Sequence, residues 1–77
     1  MKVLYFAVVR EKLKKSEEEL DFKGTVGELK EFLRQKYPEL SELLQRVKFA
    51  VNEEYVEENY QLRGDEKVAI IPPVSGG

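Results

Sequence analysis

The chain has 77 residues, a formal net charge of −2, and neither cysteine nor histidine. This length predicts one small domain. Without cysteine and histidine there can be no disulfide, thiolate metal site or histidine general base, so a catalytic or metal site of its own would need Asp and Glu alone. No basic block indicates nucleic acid, and no apolar stretch or leader indicates a membrane, so we expect a cytoplasmic protein.

The N-terminal third of the chain predicts two strands. Residues 2–9 are rich in β-branched and aromatic residues and are apolar on both alternating faces, which is typical of a strand covered on both sides. Residues 10–16 are mostly charged and predict a solvated connection. A second strand is expected over 17–22, with Leu20 and Phe22 on one face.

The middle of the chain predicts one main helix and one short helix. Thr25 and Glu28 form the spacing of a capping box, in which each side chain accepts a hydrogen bond from the other residue's amide. The amphipathic pattern that follows ends at Pro38, because proline disfavours helical geometry in the residue before it. Leucines beyond that proline predict a short second helix over residues 39–46.

The C-terminal third predicts a hairpin and a last strand. Residues 47–57 read as two strands joined near Asn52, and residues 67–71 as a strand that Pro72 ends. The whole order then indicates an α+β domain in which a main helix crosses a mixed five-stranded sheet. This is the β-grasp arrangement, in which the first and last strands can lie side by side at the centre.

The two central strands carry more apolar residues than one helix can cover. Alternation assigns half of them to the helix side of the sheet: Val3, Tyr5, Val68 and Ile70. The other face receives Leu4, Phe6, Ala69 and Ile71, together with Tyr55 or Val56 from the hairpin. An uncovered apolar patch of this kind predicts a partner interface, although scattered apolar residues are also normal on surfaces.

The last residues, "PPVSGG", predict a domain over 1–73 and an extended, flexible tail over 74–77. Pro72 and Pro73 fix φ and stiffen the departure from the sheet, and the four tail residues can span at most roughly 14 Å. Gly76 and Gly77 lack Cβ atoms and can pass a narrow channel. The carboxylate of Gly77 is inert until another enzyme activates it, most simply as a mixed anhydride with AMP. A sulfur donor or an amine can then take the acyl group.

Several segments together resemble one protein family. The segments "KVLYFAVVRE", "TVGEL", "AVNEEYV" and "LRGDEKVAIIPPVSGG" are similar to the small, sulfur-carrier subunit of molybdopterin synthase, a family with a ubiquitin-like fold. The match covers nearly the whole chain. Its most specific element is the ending, and Phe6-Ala7 with Arg10-Glu11 resembles the family's strand-end pattern.

This resemblance implies a reaction sequence at Gly77. A ubiquitin-activating-type adenylating enzyme would use ATP and magnesium to form the acyl-adenylate, and a sulfur donor would convert it to a thiocarboxylate. The tail would enter the large subunit of the synthase and give its sulfur to a cyclic pterin precursor, in molybdenum or tungsten cofactor biosynthesis. The chain itself would bind no cofactor or metal and would not be catalytic alone.

The resemblance also implies roles for individual residues. Gly76, Ser75 and Val74 would thread the tail into the partner. The positions that would contact partner proteins are Phe6, Tyr55, Ile71 and Pro73. Tyr55 differs from the aliphatic or small residue expected at its position.

Three other functions remain open at this stage. A sulfur carrier for thiazole synthesis or tRNA thiolation would use the same tail with a different acceptor, although thiazole-type carriers tend to lack the "PPVSGG" ending. A ubiquitin-like protein modifier would form an isopeptide bond from Gly77 to a lysine, and its chemistry is the same up to the adenylate. An interaction module with an inert tail would need only the apolar patch.

Overall fold

The computed structural model of the protein describes residues 1–73. Within these residues, seven strands, two α-helices and two 3-10 turns follow one another. In order they are β1 (Lys2–Tyr5), α1 (Ala7–Leu13), β2 (Glu17–Glu19), β3 (Gly24–Thr25), α2 (Val26–Lys36), the 3-10 turns Pro38–Leu40 and Leu43–Gln45, β4 (Lys48–Val51), β5 (Glu54–Val56), β6 (Gln61–Leu62) and β7 (Lys67–Ile71).

Five of these strands form one mixed sheet in the order β2-β1-β7-β4-β5, and β3 and β6 form a separate two-stranded ribbon. The central strands β1 and β7 run parallel, with Val3 opposite Val68 and Tyr5 opposite Ile70. The other neighbours in the sheet are antiparallel. The predicted sheet, with the first and last strands side by side at its centre, is therefore confirmed.

The core lies between this sheet and α2. The four side chains assigned to the helix side by alternation are at most 1% exposed. Helix α2 covers them with Val26, Leu29 and Leu33, which are fully buried in the same cluster. This burial follows from the spacing of apolar residues in the sequence. Every second residue of a strand, and every third or fourth residue of a helix, faces the same side, so apolar residues at these spacings all face the core.

The predicted strand over residues 2–9 is wrong beyond Tyr5. The backbone turns at Ala7, whose φ is +51°, and continues as α1 through what we expected to be a solvated connection. Val9 is fully buried, and Leu13, four residues later, packs against the core. This spacing puts both side chains on the face of α1 that packs against the core.

The short second helix predicted over residues 39–46 is present as helical structure, but it is not one continuous helix. Two 3-10 turns, Pro38–Leu40 and Leu43–Gln45, occupy this segment. Each turn is closed by two hydrogen bonds from the amide of residue i+3 to the carbonyl of residue i, and each places one leucine, Leu40 or Leu44, in the core.

The second strand, predicted over 17–22, is shorter than expected and ends at Glu19. Leu20 is still buried and its amide donates to the carbonyl of Met1, but Phe22 lies beyond the sheet. The ribbon of β3 and β6 was not predicted, because two strands of two residues are too short to show an alternating pattern.

The capping box and the hairpin are confirmed. The amide of Glu28 donates to Thr25 Oγ1 over 3.1 Å, and the amide of Thr25 donates to Glu28 Oε1 over 2.8 Å. The β4–β5 hairpin turns at Asn52 and Glu53, which both have positive φ, as a two-residue type I′ turn requires.

Within residues 1–73, neither helix has the length and apolar character needed to cross a membrane. The cytoplasmic location expected from the sequence stays a prediction.

Candidate functional site

The face of the sheet opposite α2, called the outer face below, carries an apolar groove. This outer groove has a volume of about 370 Å³ and is open to solvent. Its apolar lining consists of Leu4, Phe6, Ala50, Tyr55, Ala69 and Ile71. The apolar surface predicted from alternation is therefore present, and Tyr55 rather than Val56 completes it, because Val56 packs against the core.

Strand register explains the shape of the groove. Leu4 lies opposite Ala69, Ala69 opposite Ala50, and Ala50 opposite Tyr55, so one row crosses four strands. The two alanines form a low floor, and the larger side chains at the ends rise as walls. Tyr55 is 71% exposed and Phe6 is 44% exposed, so both are available to a partner.

Phe6 owes its position to the change from strand to helix. It has extended backbone angles and caps α1, and its carbonyl accepts the amide of Val9 over 3.1 Å. The next residue, Ala7, has the left-handed φ that turns the chain away from the sheet. Phe6 is thereby left on the outer face as the last residue that follows the alternation of β1.

The domain meets its tail at one end of the outer groove. β7 ends at Ile71, which lines the groove, and Pro72 is buried while Pro73 is exposed. Since β1 and β7 are parallel and Tyr5 faces Ile70, Phe6 and Ile71 stand at the same end of the groove. Residues 74–77, and with them the predicted roles of Val74, Ser75, Gly76 and Gly77, lie outside the described residues.

Glu53 and Lys67 also line the outer groove, and we did not predict either of them. Lys67 could have been found from alternation, because it occupies the same face of β7 as Ala69 and Ile71. Glu53 gives no such signal, since it lies in the hairpin turn, and its direction depends on the turn type.

A polar cluster on the helix side fixes the end of β1. Glu18 accepts hydrogen bonds of 2.7 Å from the hydroxyls of Tyr5 and Tyr37 and lies 3.2 Å from Lys36 Nζ. Burial raises the pKa of Glu18, but the hydrogen bonds from Tyr5, Tyr37 and Lys36 outweigh burial and hold this pKa below its usual value. Burial, and then the neighbouring Glu18, raises the pKa of the Tyr5 hydroxyl far above its usual value.

No group of three or more acidic side chains within residues 1–73 could hold a metal ion. The perturbed carboxylate of Glu18 is occupied by its hydrogen-bond donors, and it lies on the opposite side of the sheet from the outer groove.

A mixed sheet with a helix across one face, a parallel central strand pair and an apolar outer groove defines a ubiquitin-like β-grasp protein. The family model described as the ThiS family matches residues 3–77, and the chain belongs to this family.

Relatives and solved structures agree with this assignment. The molybdopterin synthase sulfur carrier subunit of Mycobacterium tuberculosis is 41% identical over 78 residues, which cover 97% of this chain and 94% of the relative. The small archaeal modifier protein 1 of Methanosarcina acetivorans superposes with a TM-score of 0.82 at 26% identity, covering 99% and 94% of the two chains. A Pyrococcus furiosus protein named as molybdopterin converting factor subunit 1 gives 0.80 at 29% identity, covering 95% of each chain. The resemblance stated from the sequence is thus confirmed.

Proposed function

We propose that this protein is a sulfur carrier that serves as the small subunit of molybdopterin synthase in molybdenum or tungsten cofactor biosynthesis. The observation that carries the proposal is the outer groove, one end of which is formed by Phe6 and by Ile71, the last residue of β7. A partner that binds in this groove would lie beside the end of β7, and this position supports a role for the groove in bringing the partner to residues 74–77. The 41% identity to the Mycobacterium tuberculosis carrier supports the same function.

In the proposed reaction the chain supplies an acyl group and a docking surface. The carboxylate of Gly77 attacks the α-phosphorus of ATP in a ubiquitin-activating-type enzyme, and pyrophosphate leaves. A sulfur donor then attacks the acyl carbon, AMP leaves with one of the original oxygens, and Gly77 becomes a thiocarboxylate. In the large subunit the thiocarboxylate sulfur forms a bond to a carbon of a cyclic pterin precursor, and water then cleaves the acyl–sulfur bond, which leaves the sulfur on the precursor and restores the carboxylate of Gly77. Proton transfers in these steps belong to the partner enzymes.

Protein modification is the second candidate function. It is favoured by the TM-score of 0.82 to the Methanosarcina acetivorans modifier protein. In that case the acyl-adenylate of Gly77 is attacked by a lysine amine, and an isopeptide bond forms instead of a thiocarboxylate. Sulfur transfer to a thiazole precursor or to tRNA is a third outcome that the same experiment can detect.

Intact-mass measurement tests the proposal directly. The purified chain is incubated with its adenylating enzyme, ATP, magnesium and a sulfur donor, and we expect the mass gain of one sulfur replacing one oxygen. Adding the large subunit and the pterin precursor should then restore the original mass. A chain that keeps its plain carboxylate throughout would contradict the carrier function. Lysine-linked adducts on a denaturing gel would favour modification, and sulfur consumed only with tRNA or a thiazole precursor would identify that acceptor.

The role of the outer groove is tested with Phe6→Glu. We expect this variant to lose binding to the large subunit, because a carboxylate replaces the aromatic wall of the groove. Phe32→Glu is the matched control: Phe32 is 40% exposed, against 44% for Phe6, and it lies on α2 on the other side of the sheet. Equal binding of the two variants would show that the groove is not the docking surface.

A further inference from the structure

The outer face carries three lysines, one on each of its three central strands. They are Lys2 on β1, Lys67 on β7 and Lys48 on β4, and all three are exposed. Each shares the face of the groove residues on its own strand, because Leu4, Ala69 and Ala50 lie two residues away from them. Lys67 lines the groove directly, and Lys48 lies opposite Ile71, the last residue of β7.

The described residues supply an ion-pair partner for only one of these three lysines. Lys2 lies 3.6 Å from a carboxylate oxygen of Glu17, but within residues 1–73 neither Lys48 nor Lys67 forms an ion pair. Glu53 lines the same groove as Lys67 without reaching ion-pair distance. The outer groove is therefore an apolar centre with ammonium groups above and below it along the strands.

The placement of two of the lysines is unfavourable for the free protein. Lys2 and Lys67 are direct neighbours in the parallel β1–β7 pair and point to the same face. Like charges at neighbouring positions on one face of a sheet destabilise it. Lysine charges that do not stabilise the fold and that lie beside an uncovered apolar groove are typical of a surface that binds another protein.

We propose that Lys48 and Lys67 select a partner whose docking surface presents an apolar side chain flanked by carboxylates. The apolar side chain fills the outer groove, and the carboxylates meet the two ammonium groups at its ends. This inference rests on the proposed function, because it describes how the large subunit recognises the chain. Exposed charges at the edge of an interface act mainly on the association rate and on its salt dependence.

Charge reversal of the two lysines tests the proposal. Lys48→Glu and Lys67→Glu are compared with Lys12→Glu, which makes the same change in net charge on exposed α1, away from the groove. The probe is the large subunit of molybdopterin synthase encoded by the same genome. At low salt we expect each groove variant to bind about fivefold more slowly, with a weaker dependence on salt, and Lys12→Glu to bind about as fast as the unchanged chain.

Lys67→Gln separates recognition from folding. Since it removes a repulsion with Lys2, we expect its melting temperature to be equal or higher while its association slows. Groove variants that associate as fast as Lys12→Glu would overturn the charge proposal and leave the sulfur-carrier function intact. An unchanged chain that does not bind the large subunit at all would overturn both.

Discussion

Replacing Glu18 with alanine is expected to destabilise the protein by about 3 kcal/mol. Its carboxylate accepts two hydroxyl hydrogen bonds of 2.7 Å, and its side chain is only 13% exposed. A hydrogen bond to a charged group contributes about 1.5–3 kcal/mol. The Tyr5 side chain is 1% exposed, so its hydroxyl would lose its partner without gaining water. Tyr37 is half-buried, and its hydroxyl can turn to solvent, so we assign a smaller free energy to its hydrogen bond with Glu18.

This loss is large for a small domain. At about 0.05–0.15 kcal/mol per residue, the whole free energy of unfolding is roughly 4–12 kcal/mol. A loss of about 3 kcal/mol lowers the melting temperature of a domain of this size by roughly 12–24 °C. The fall is measured by thermal unfolding followed by circular dichroism.

Glu17→Ala is the matched control for Glu18→Ala. Glu17 is the preceding residue on β2, its side chain is 54% exposed, and its ion pair with Lys2 spans 3.6 Å. Exposed ion pairs contribute about 0–1 kcal/mol, so this variant should unfold close to the unchanged protein. If the two alanine variants unfold at the same temperature, the cluster around Glu18 does not stabilise the fold as we infer.

The contribution of Glu18 also depends on pH in a defined direction. Its pKa in the folded protein lies below the ordinary value of 4.5, so folding favours the ionised form. The stabilisation is therefore fully present above about pH 4.5 and is lost as the pH falls through the folded pKa. Glu18→Gln, which cannot ionise, should lose this part of the pH dependence. A destabilisation by Glu18→Gln that is the same at pH 3 and pH 7 would refute the reasoning.

Three further substitutions test local backbone features, each by urea unfolding. Glu53→Gly should stabilise the protein by about 0.5–1 kcal/mol, because Glu53 has a φ of +73° that glycine adopts without strain. A loss of stability would mean that contacts of the Glu53 side chain contribute more to stability than the strain in its backbone costs. Thr25→Ala should lower the free energy of unfolding by about 1 kcal/mol, because it removes the cap of α2. Thr25→Ser keeps the hydroxyl and should lower it much less. Equal losses in the two variants would argue against a stabilising role for the capping box. Gly64→Ala should cost more than about 1 kcal/mol, since Gly64 has a φ of +113°, and unchanged stability would show that this loop can rearrange.

The sequence predicts the sheet well where a strand buries one face in the core. Val3 and Tyr5 on β1, and Val68 and Ile70 on β7, alternate with less buried residues, and this period alone identifies the buried face and the groove face. The same reasoning fails at Ala7. The apolar run continues past Tyr5, and the left-handed turn that ends the strand leaves no mark in residue type.

The cluster around Glu18 could not be predicted for a different reason. Tyr5, Glu18 and Tyr37 are far apart in the sequence and meet only because β1, β2 and the end of α2 pack together. A run of three glutamates reads as a solvated strand edge, and only the tertiary contacts show that the middle one is held by two tyrosines. The tail presents the opposite case: its roles follow from residue types and family resemblance, and they stay predictions.

The parallel pairing of β1 with β7 also governs when the domain can fold. These two central strands come from opposite ends of the sequence, so the pairing closes a loop that contains nearly the whole chain. Such a high contact order predicts slow folding for a domain of this size. During synthesis, β1 remains without its central neighbour until residues 67–71 have left the ribosome. A chain broken off earlier cannot complete the sheet, so proteases would remove it as an unfolded polypeptide. Folding therefore acts as a check on synthesis, because every chain that folds has been translated at least to the end of β7.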